Sequence, residues 1–237
     1  MAQPSNERTL ISAIIPPEVV HINSTFSITF EDDRLMVEFA GLTSSIVYDY
    51  FLRTMGKQNI MDDVLQLLPI PESIPVGLLS RTLRLNCVSK YYASLWEEIY
   101  NPLFSSDGWA KPDNRLKKWD DVNSKWNRNT ALRTPFERRQ ALVEIDVLSA
   151  MTLDLSISEL LTIYRVQFPV FQKNERRLRF DQRGMEVPMK TIGGELGVDE
   201  NHPRFGEMVP PFTSVDREED YRVAWAFFEK KLKEEKK

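Results

Sequence analysis

The residue types that do most catalytic and metal-binding chemistry are scarce in this sequence. It contains two histidines, His21 and His202, and a single cysteine, Cys87. No serine or cysteine nucleophile with an obvious partner frames His21, and three widely spaced ligands make no zinc site. Glu144 and Asp146 could act as paired carboxylates, but residues two apart on a helix face different sides. The sequence therefore predicts no catalytic residue and no metal ligand.

A second kind of chemistry, the binding of phosphates by cations, is better represented. In residues 105–130 basic and aromatic residues interleave, an arrangement that can bind nucleic acid through charge and base stacking. The residues concerned are Trp109, Arg115, Lys117, Lys118, Trp119, Lys125, Trp126 and Arg128. The alternative is a long loop that its tryptophans hold against the protein. The sequence favours this alternative for the tryptophans and leaves both explanations open for the basic residues.

The charge distribution restricts where anions could bind. The net charge is −4, but residues 101–190 hold 16 basic and 12 acidic side chains, whereas residues 1–71 hold 4 and 9. Only the middle of the chain could therefore attract phosphates by charge alone. Within it, Arg176 and Arg177 begin a cluster of arginines around a predicted turn. A solvated surface without a ligand is the simpler explanation of such charges.

Periodic patterns indicate the elements that would position these residues. Apolar residues recur at three- and four-residue spacing over residues 36–51, which predicts one amphipathic helix that ends at Gly56. The stretch that follows the helix, up to Pro71, is predicted to be extended. Two short strands are predicted before the helix, at residues 10–15 and 26–30.

Helices dominate the rest of the chain. A helix is predicted from Ser80, its N-cap, to about residue 100, with Cys87 as a small buried hydrophobe. Capping boxes at Thr134 and Ser156 begin the two helices of a predicted hairpin, and a last helix follows Asp216. The predicted fold class is α+β, mainly helical, with short N-terminal strands followed by helices and a capped helical hairpin.

Three stretches resemble one family of enzymes. Residues 7–21 read ERTLISAIIPPEVVH, residues 41–50 read GLTSSIVYDY, and residues 132–170 contain LRTPFERRQALVEID and ELLTIYRVQFPV. They are similar to the target-recognition and carboxy-terminal regions of adenine-N6 DNA methyltransferases, above all the large type II restriction–modification enzymes and phage-defence members. One departure is that the family's Leu-Asn-Ser is Leu42-Thr43-Ser44 here.

The catalytic part of that family is not apparent. Its Asn/Asp-Pro-Pro-Tyr/Phe motif holds the amine of the target adenine and stacks on the flipped base, whereas Asn101 to Phe104 read Asn-Pro-Leu-Phe. No predicted strand is followed by a glycine-rich turn that could bind S-adenosylmethionine. We therefore interpret residues 101–104 as a helix stop and predict no cofactor-binding residue. S-adenosylmethionine is expected in a catalytic partner or a missing domain.

The resemblance implies a non-catalytic DNA-recognition portion of an adenine-N6 DNA methyltransferase, within a restriction–modification or phage-defence system. Whether the chain has enzymatic activity of its own stays open. Its partners would be double-stranded DNA and a catalytic methyltransferase subunit or domain, with basic residues on phosphates and loop residues on bases. The expected DNA-contacting residues are His21, Asn23, Ser24, Arg53, Lys57, Asn59, Lys117, Lys118, Lys125, Arg128, Arg176 and Arg177. The alternative is a docking module for a methyltransferase or helicase subunit, formed by the helical hairpin and last helix without direct DNA contact.

Three segments organise the chain of 237 residues. Residues 1–75 form the recognition-like α+β segment, residues 76–130 a helix and tryptophan-rich connector, and residues 131–237 the helical carboxy-terminal region. No apolar run reaches about 18 residues and the N-terminus is polar, so neither a membrane span nor a signal peptide is predicted. The single cysteine fits a reducing compartment, and a cytoplasmic location is expected.

Overall fold

The fold is an assembly of short helices with two small pairs of strands. A computed structural model describes residues 6–22, 25–56 and 60–235. The helices of this part are α1 (Asp33–Thr43), α2 (Ile46–Met55), α3 (Asp62–Leu65), α4 (Val76–Asn86), α5 (Ala93–Ile99), α6 (Pro135–Thr152), α7 (Ile157–Gln167), α8 (Pro169–Glu175) and α9 (Arg217–Glu235). The strands are β1 (Arg179–Phe180), β2 (Met189–Ile192), β3 (Glu195–Val198) and β4 (Thr213–Ser214). The prediction of a mainly helical α+β fold is confirmed, and no helix in the described ranges is long and apolar enough to cross a bilayer.

Helix α6 runs through the middle of the fold. It packs against α2, α4, α7 and α9, and Ala141, Ile145 and Leu148 along it are almost completely buried. Its N-terminus has the predicted capping box, in which Thr134 Oγ1 accepts a hydrogen bond from the Glu137 N–H and the Glu137 carboxylate accepts one from the Thr134 N–H. The box supplies partners for N–H groups that no earlier turn can satisfy. The start of α6 is therefore determined locally.

The single helix predicted over residues 36–51 is instead two helices. Ser45 interrupts it as the N-cap of α2. The break is fixed by a distant part of the chain, because the Ile46 N–H donates to Asp146 Oδ1 at 2.8 Å. An N–H that bonds to this carboxylate does not continue the hydrogen-bond ladder of α1. The predicted helix end is confirmed, since Gly56 has the left-handed φ of 64° that suits a C-cap.

The prediction of two strands near the N-terminus is wrong. Over residues 7–30 the described positions belong to no strand. The Leu10 N–H donates to the Asp49 carboxylate at 3.2 Å, and the Ile14 N–H donates to Asn86 Oδ1 at 3.0 Å. Side chains of α2 and α4 thus hold this segment in place of a neighbouring strand. The strands that do form lie later in the chain, where β1 pairs with β4 and β2 with β3, both antiparallel.

The helix predicted from Ser80 begins earlier and ends sooner. α4 starts after Pro75 and ends at Cys87, so Ser80 lies inside the helix and is not its N-cap. A 3-10 turn over Lys90–Tyr92 and then α5 follow it. Val88, which the predicted apolar stripe places in the core, is 38% exposed. Cys87 is fully buried, as predicted.

Charged residues join α6 to the helices around it. Glu144 bonds to Arg81 of α4, and both side chains are fully buried. Asp146 pairs with Arg217 of α9 at 2.9 Å. As predicted, the two carboxylates face different partners and do not converge. Breaking such a buried pair is costly, because the remaining charge has lost its partner.

One hydrophobic core crosses the boundaries of the three segments named above. Leu42 from α1, Leu78 from α4 and Val147 from α6 belong to it, and each is fully buried. Gly41 lets α1 approach α4 closely, because a methyl group at this position would lie 2.4 Å from Leu78 Cδ2. The segments therefore pack on a common core.

We expect the Gly41→Ala variant to lower the free energy of unfolding by about 1–3 kcal/mol. The added methyl would meet Leu78 Cδ2 and Thr82 Oγ1, both at 2.4 Å. Leu78 and Thr82 are themselves buried, so neither can move aside freely. Urea unfolding would measure the loss, with Gly206→Ala as control because a methyl there meets no atom within 4 Å. Equal midpoints for Gly41→Ala and wild type would contradict this close helix crossing.

Candidate nucleic-acid interface

Helices α7 and α8 meet at a bend that places their basic residues near each other. The second predicted capping box begins α7, which ends before Phe168, and Pro169 begins α8. Proline suits a first helical position because an N–H there would have no partner in the helix. Gln172 Nε2 donates to the carbonyls of Tyr164 and Arg165 at 2.9 and 2.8 Å. This side chain therefore fixes the bend.

A groove of about 410 Å³ lies beside this bend, and we call it the α8 groove. Its cations are Arg165, Lys173, Arg176 and Arg177. Residues of the β2–β3 hairpin, among them Thr191, Gly194 and Leu196, line it as well. None of the described lining residues is acidic. The groove is therefore a cationic surface that suits an anionic ligand.

Three of these four cations have no acidic partner among the described residues. Arg165 pairs with Glu218, from Nε to Oε1 at 2.9 Å, and this hydrogen bond raises the pKa of Arg165. Lys173, Arg176 and Arg177 form no ion pair within the ranges that the structure describes. A guanidinium can donate two parallel hydrogen bonds to a phosphate, and an ammonium acts as a point charge. The groove offers both kinds of group.

The sequence contains a signal for Lys173 that our prediction missed. Lys173, Arg176 and Arg177 are three and four positions apart, a spacing that places residues on one face of a helix. Arg176 is the C-cap of α8, so the spacing describes the last turn of this helix. Arg165 carries no comparable signal, because its place in the groove depends on the bend between α7 and α8.

Arg177 also lines a second cavity, of about 560 Å³. His202 and Arg204 line it together with the acidic residues Glu7 and Glu186. A cavity with both signs of charge attracts a polyanion less strongly than a purely cationic one. The α8 groove is therefore the better candidate for phosphate contacts.

The tryptophans of residues 105–130 are structural. Trp109 and Trp119 are almost completely buried, with ring centroids 5.0 Å apart. The Trp109 Nε1–H donates to the Lys117 carbonyl and the Trp126 Nε1–H to the Cys87 carbonyl, both at 2.8 Å. The enclosed rings of Trp109 and Trp119 cannot stack on bases, and the half-buried Trp126 is tied to the end of α4 by its hydrogen bond. The segment is thus a long loop that its tryptophans hold against the protein.

The predicted cations of this loop are only partly available to DNA. Lys117 is half-buried, its Nζ donates to a backbone carbonyl, and burial lowers its pKa. Lys125 pairs with Glu97 at 2.9 Å. Lys118 and Arg128 are exposed and form no ion pair in the described part of the chain. The prediction of a phosphate contact is therefore corrected for Lys117, whose ammonium group stabilises the loop.

Arg53, predicted to contact DNA, is almost buried and bonds to groups of the protein itself. Its Nε donates to Asp49 Oδ1 at 3.0 Å and its Nη1 to the Gln167 carbonyl at 2.7 Å. Its guanidinium lies 4.2 Å from the centre of the Phe168 ring, and its side chain is only 9% exposed. Arg53 thus joins α2 to the end of α7, and this role replaces the predicted DNA contact.

Most residues predicted to read bases lie outside the described ranges. These residues are Asn23, Ser24, Lys57 and Asn59. His21 is described and exposed, with its Nε2 2.8 Å from Ser27 Oγ. It lines neither the α8 groove nor the second cavity. The structure therefore does not bring His21 together with Arg176 and Arg177.

Residues 101–104 fit the interpretation of a helix stop. Asn101 Oδ1 accepts a hydrogen bond from the Leu103 N–H at 2.9 Å, as the N-cap of the 3-10 turn Pro102–Phe104. Phe104 is fully buried, and its ring contacts those of Trp96 and Tyr100. An enclosed ring cannot stack on a flipped base, so these residues do not fit an adenine site. Across the described positions, no group of three or more His, Cys, Asp and Glu residues could hold a metal ion.

Comparisons with known proteins do not identify a family for the chain. No protein-family model matches it, and neither the curated proteins nor the solved structures gave a match. What the α8 groove can bind is therefore argued from its own residues and charges.

Proposed function

We propose that this chain is the non-catalytic DNA-recognition portion of an adenine-N6 DNA methyltransferase, within a restriction–modification or phage-defence system. The resemblance of three stretches to that family supports the proposal. The observation that carries it is the α8 groove, where Lys173, Arg176 and Arg177 face a lining without acidic residues. Cations of this kind release counterions from DNA when they meet its phosphates, which drives binding.

In this proposal the α8 groove contacts phosphates, and other residues read the sequence. Phosphate contacts fix the orientation of a protein on the duplex but carry no base information. The β2–β3 hairpin stands beside the cations and turns at Gly193 and Gly194, both with a positive φ. A two-stranded ribbon is narrow enough to enter the major groove. We therefore expect base contacts from this hairpin in addition to the residues predicted to read bases at positions 21–25 and 57–59.

A catalytic partner would complete the activity. The S-adenosylmethionine site belongs, in this proposal, to a methyltransferase subunit or domain that takes the flipped adenine. The residues of this chain would bind and orient duplex DNA for that partner, in the cytoplasm.

The alternative, a docking module built from the helical hairpin and last helix, has less support. Tyr221, Ala224 and Phe228 of α9 are buried in the same core as Val147 of α6. Leu160 of α7 is fully buried there too. The apolar faces that would meet a partner are thus used inside the protein.

Replacing Lys173, Arg176 and Arg177 together by glutamine should flatten the salt dependence of DNA binding. For wild type, a plot of log association constant against log salt concentration should fall with a slope of about −0.9 per neutralised phosphate. The slope of the triple variant should be shallower by about 2–3 units, one for each lost phosphate contact. Fluorescence anisotropy with a labelled duplex at several salt concentrations would measure both slopes.

The matched control replaces Lys118, Lys125 and Arg128 by glutamine. It removes the same charge from the exposed loop, so a smaller change in slope is expected. Circular dichroism should show both variants folded, because all six side chains are at least partly exposed. Equal changes in slope would exclude the α8 groove as the main contact surface. The recognition proposal itself fails if wild type shows no DNA binding at low salt, alone or with its catalytic partner.

A further inference from the structure

Residues 8–15, which we call the N-terminal arm, alternate between buried and exposed side chains. Leu10 and Ile14 are 6% and 5% exposed, whereas Ile11 and Ile15 are 83% and 48% exposed. A period of two is that of a strand, although the arm pairs with no strand among the described residues. Ile11 and Ile15 thus present apolar side chains to solvent.

The inner edge of the arm is firmly attached to the helices. Arg8 Nε pairs with Asp49 Oδ2 at 2.6 Å. The Ile14 N–H donates to Asn86 Oδ1 at 3.0 Å, and the Ile14 carbonyl accepts from the Tyr92 hydroxyl at 2.9 Å. A segment held at both ends is preorganised, so little conformational entropy of the arm is lost when a ligand binds to it.

The outer edge of the arm has backbone groups without partners. In a strand, the N–H and C=O groups of successive residues point to opposite edges. The Thr9 N–H also donates to Asp49, at 2.9 Å, so the alternation of edges begins at Leu10. From there Leu10 and Ile14 use the inner edge, and the groups of Ile11 and Ala13 point away from the helices. Within the described part of the chain, these groups form no hydrogen bond. Ile11 and Ala13 are two positions apart, the interval at which an antiparallel neighbour exchanges hydrogen bonds.

Acidic residues flank the arm on both sides. Glu7 precedes it and Glu18 follows it, and both are exposed. Neither forms an ion pair in the described ranges, whereas the arm's own cation, Arg8, shares the Asp49 carboxylate with Arg53. A segment that carries positive charges beside its apolar residues would therefore be attracted to the arm.

From these observations we infer that the N-terminal arm binds an extended segment of another protein, which adds to it as a β-strand. The segment pairs with the backbone of Ile11 and Ala13, places apolar side chains against Ile11 and Ile15, and carries lysine or arginine near its ends. In strand addition, main-chain hydrogen bonds supply affinity and alternate side chains supply specificity. No arm residue lines the α8 groove.

Selection from a library of random short peptides, with the full chain as target, tests this inference. The enriched peptides should alternate apolar and other residues and carry lysine or arginine near their ends. Their affinity for the double variant Ile11→Ser and Ile15→Ser should be weaker than for wild type by about tenfold or more. Hydrogen exchange at the Ile11 and Ala13 amides should slow by about tenfold when a selected peptide binds.

The matched control is Val166→Ser, at a position on α7 that is 65% exposed, and it should keep the wild-type peptide affinity. The inference is overturned if no peptide is enriched, if enriched peptides lack the alternation, or if the double variant binds them as wild type does. It is also overturned, in favour of a second copy of the chain, if wild type dimerises in sedimentation and the double variant does not. The double variant should retain the salt slope of DNA binding, so failure here is distinguishable from failure of the proposed function.

Discussion

The Asp146→Asn variant is expected to lose about 3–5 kcal/mol of unfolding free energy. Asp146 is 1% exposed, and its Oδ2 accepts hydrogen bonds from Arg217 Nη1 at 2.9 Å and the Tyr221 hydroxyl at 2.7 Å. Its Oδ1 accepts the Ile46 N–H. The amide has no negative charge and turns one acceptor into a donor, so a buried guanidinium faces a neutral group. Arg217 keeps its pair with Glu175 at 3.0 Å, which places the expected loss toward the lower end of the range.

Urea unfolding measures this loss against two controls. Asp120→Asn changes an exposed carboxylate that forms no ion pair in the described ranges, and should alter stability by no more than about 0.5 kcal/mol. Tyr221→Phe removes no charge but two hydrogen bonds, the one donated to Asp146 Oδ2 at 2.7 Å and the one accepted from Arg217 Nη1 at 3.2 Å, and should cost about 2 kcal/mol. A loss for Asp146→Asn no greater than that for Tyr221→Phe would contradict a buried ion pair at this position.

Elements whose signals are local could be predicted from the sequence. The capping boxes at Thr134 and Ser156 complete their hydrogen bonds within four residues, so the starts of α6 and α7 follow from short motifs. Gly56 ends α2 for an equally local reason, because glycine adopts a positive φ at little cost. Arg176 and Arg177 could be named in advance because both belong to a local cluster of arginines in the sequence.

The break between α1 and α2 depends on a contact that the sequence does not display. The apolar period continues through Ser44 and Ser45, and by itself predicts one helix. The Ile46 N–H bonds to Asp146, 100 positions later. The N-terminal arm is a similar case, since its short apolar run predicts a strand but the sequence does not display its attachment to the side chain of Asp49. Hydrogen-bond partners that lie far apart in the sequence are brought together only by the fold.

Which basic side chains stay available to a ligand also depends on the fold and not on the sequence alone. Arg53 donates to the Gln167 carbonyl, 114 positions away, and the Lys117 ammonium donates to the Ala131 carbonyl. Neither contact has a sequence signal, and both remove cations from the predicted interface. Arg176 and Arg177 differ from them because no carboxylate neutralises them among the described residues.

A second large effect is expected on acidification. Burial opposes the ionisation of Glu175, but the guanidinium groups of Arg217 and Arg139 lower its pKa to about 2. Burial likewise opposes the ionisation of Asp107, whose pKa Arg81 and Lys231 lower to about 2. In the unfolded chain such carboxyl groups titrate near about pH 4. Below that pH the unfolded state therefore binds more protons than the folded state.

The sign of the effect follows from these depressed folded-state pKa values. The stabilisation is fully present above the unfolded-state pKa values and is lost as the pH falls toward about 2. Each carboxylate contributes about 2–3 kcal/mol through this linkage. Through Glu175 and Asp107 the free energy of unfolding, measured in urea, should therefore fall by several kcal/mol between neutral pH and about pH 2. Glu144 and Asp146, whose pKa values burial raises, offset part of this fall.

The Glu175→Gln variant should make that dependence shallower. It removes a carboxyl group whose pKa is depressed, so its loss of unfolding free energy on acidification should be smaller than that of wild type by about 2–3 kcal/mol. It starts less stable at neutral pH, because Arg139 and Arg217 lose a buried partner. Glu200→Gln removes an exposed carboxylate without an ion pair in the described ranges, and should keep the wild-type dependence. A curve for Glu175→Gln parallel to that of wild type would show that Arg139 and Arg217 do not hold Glu175 ionised.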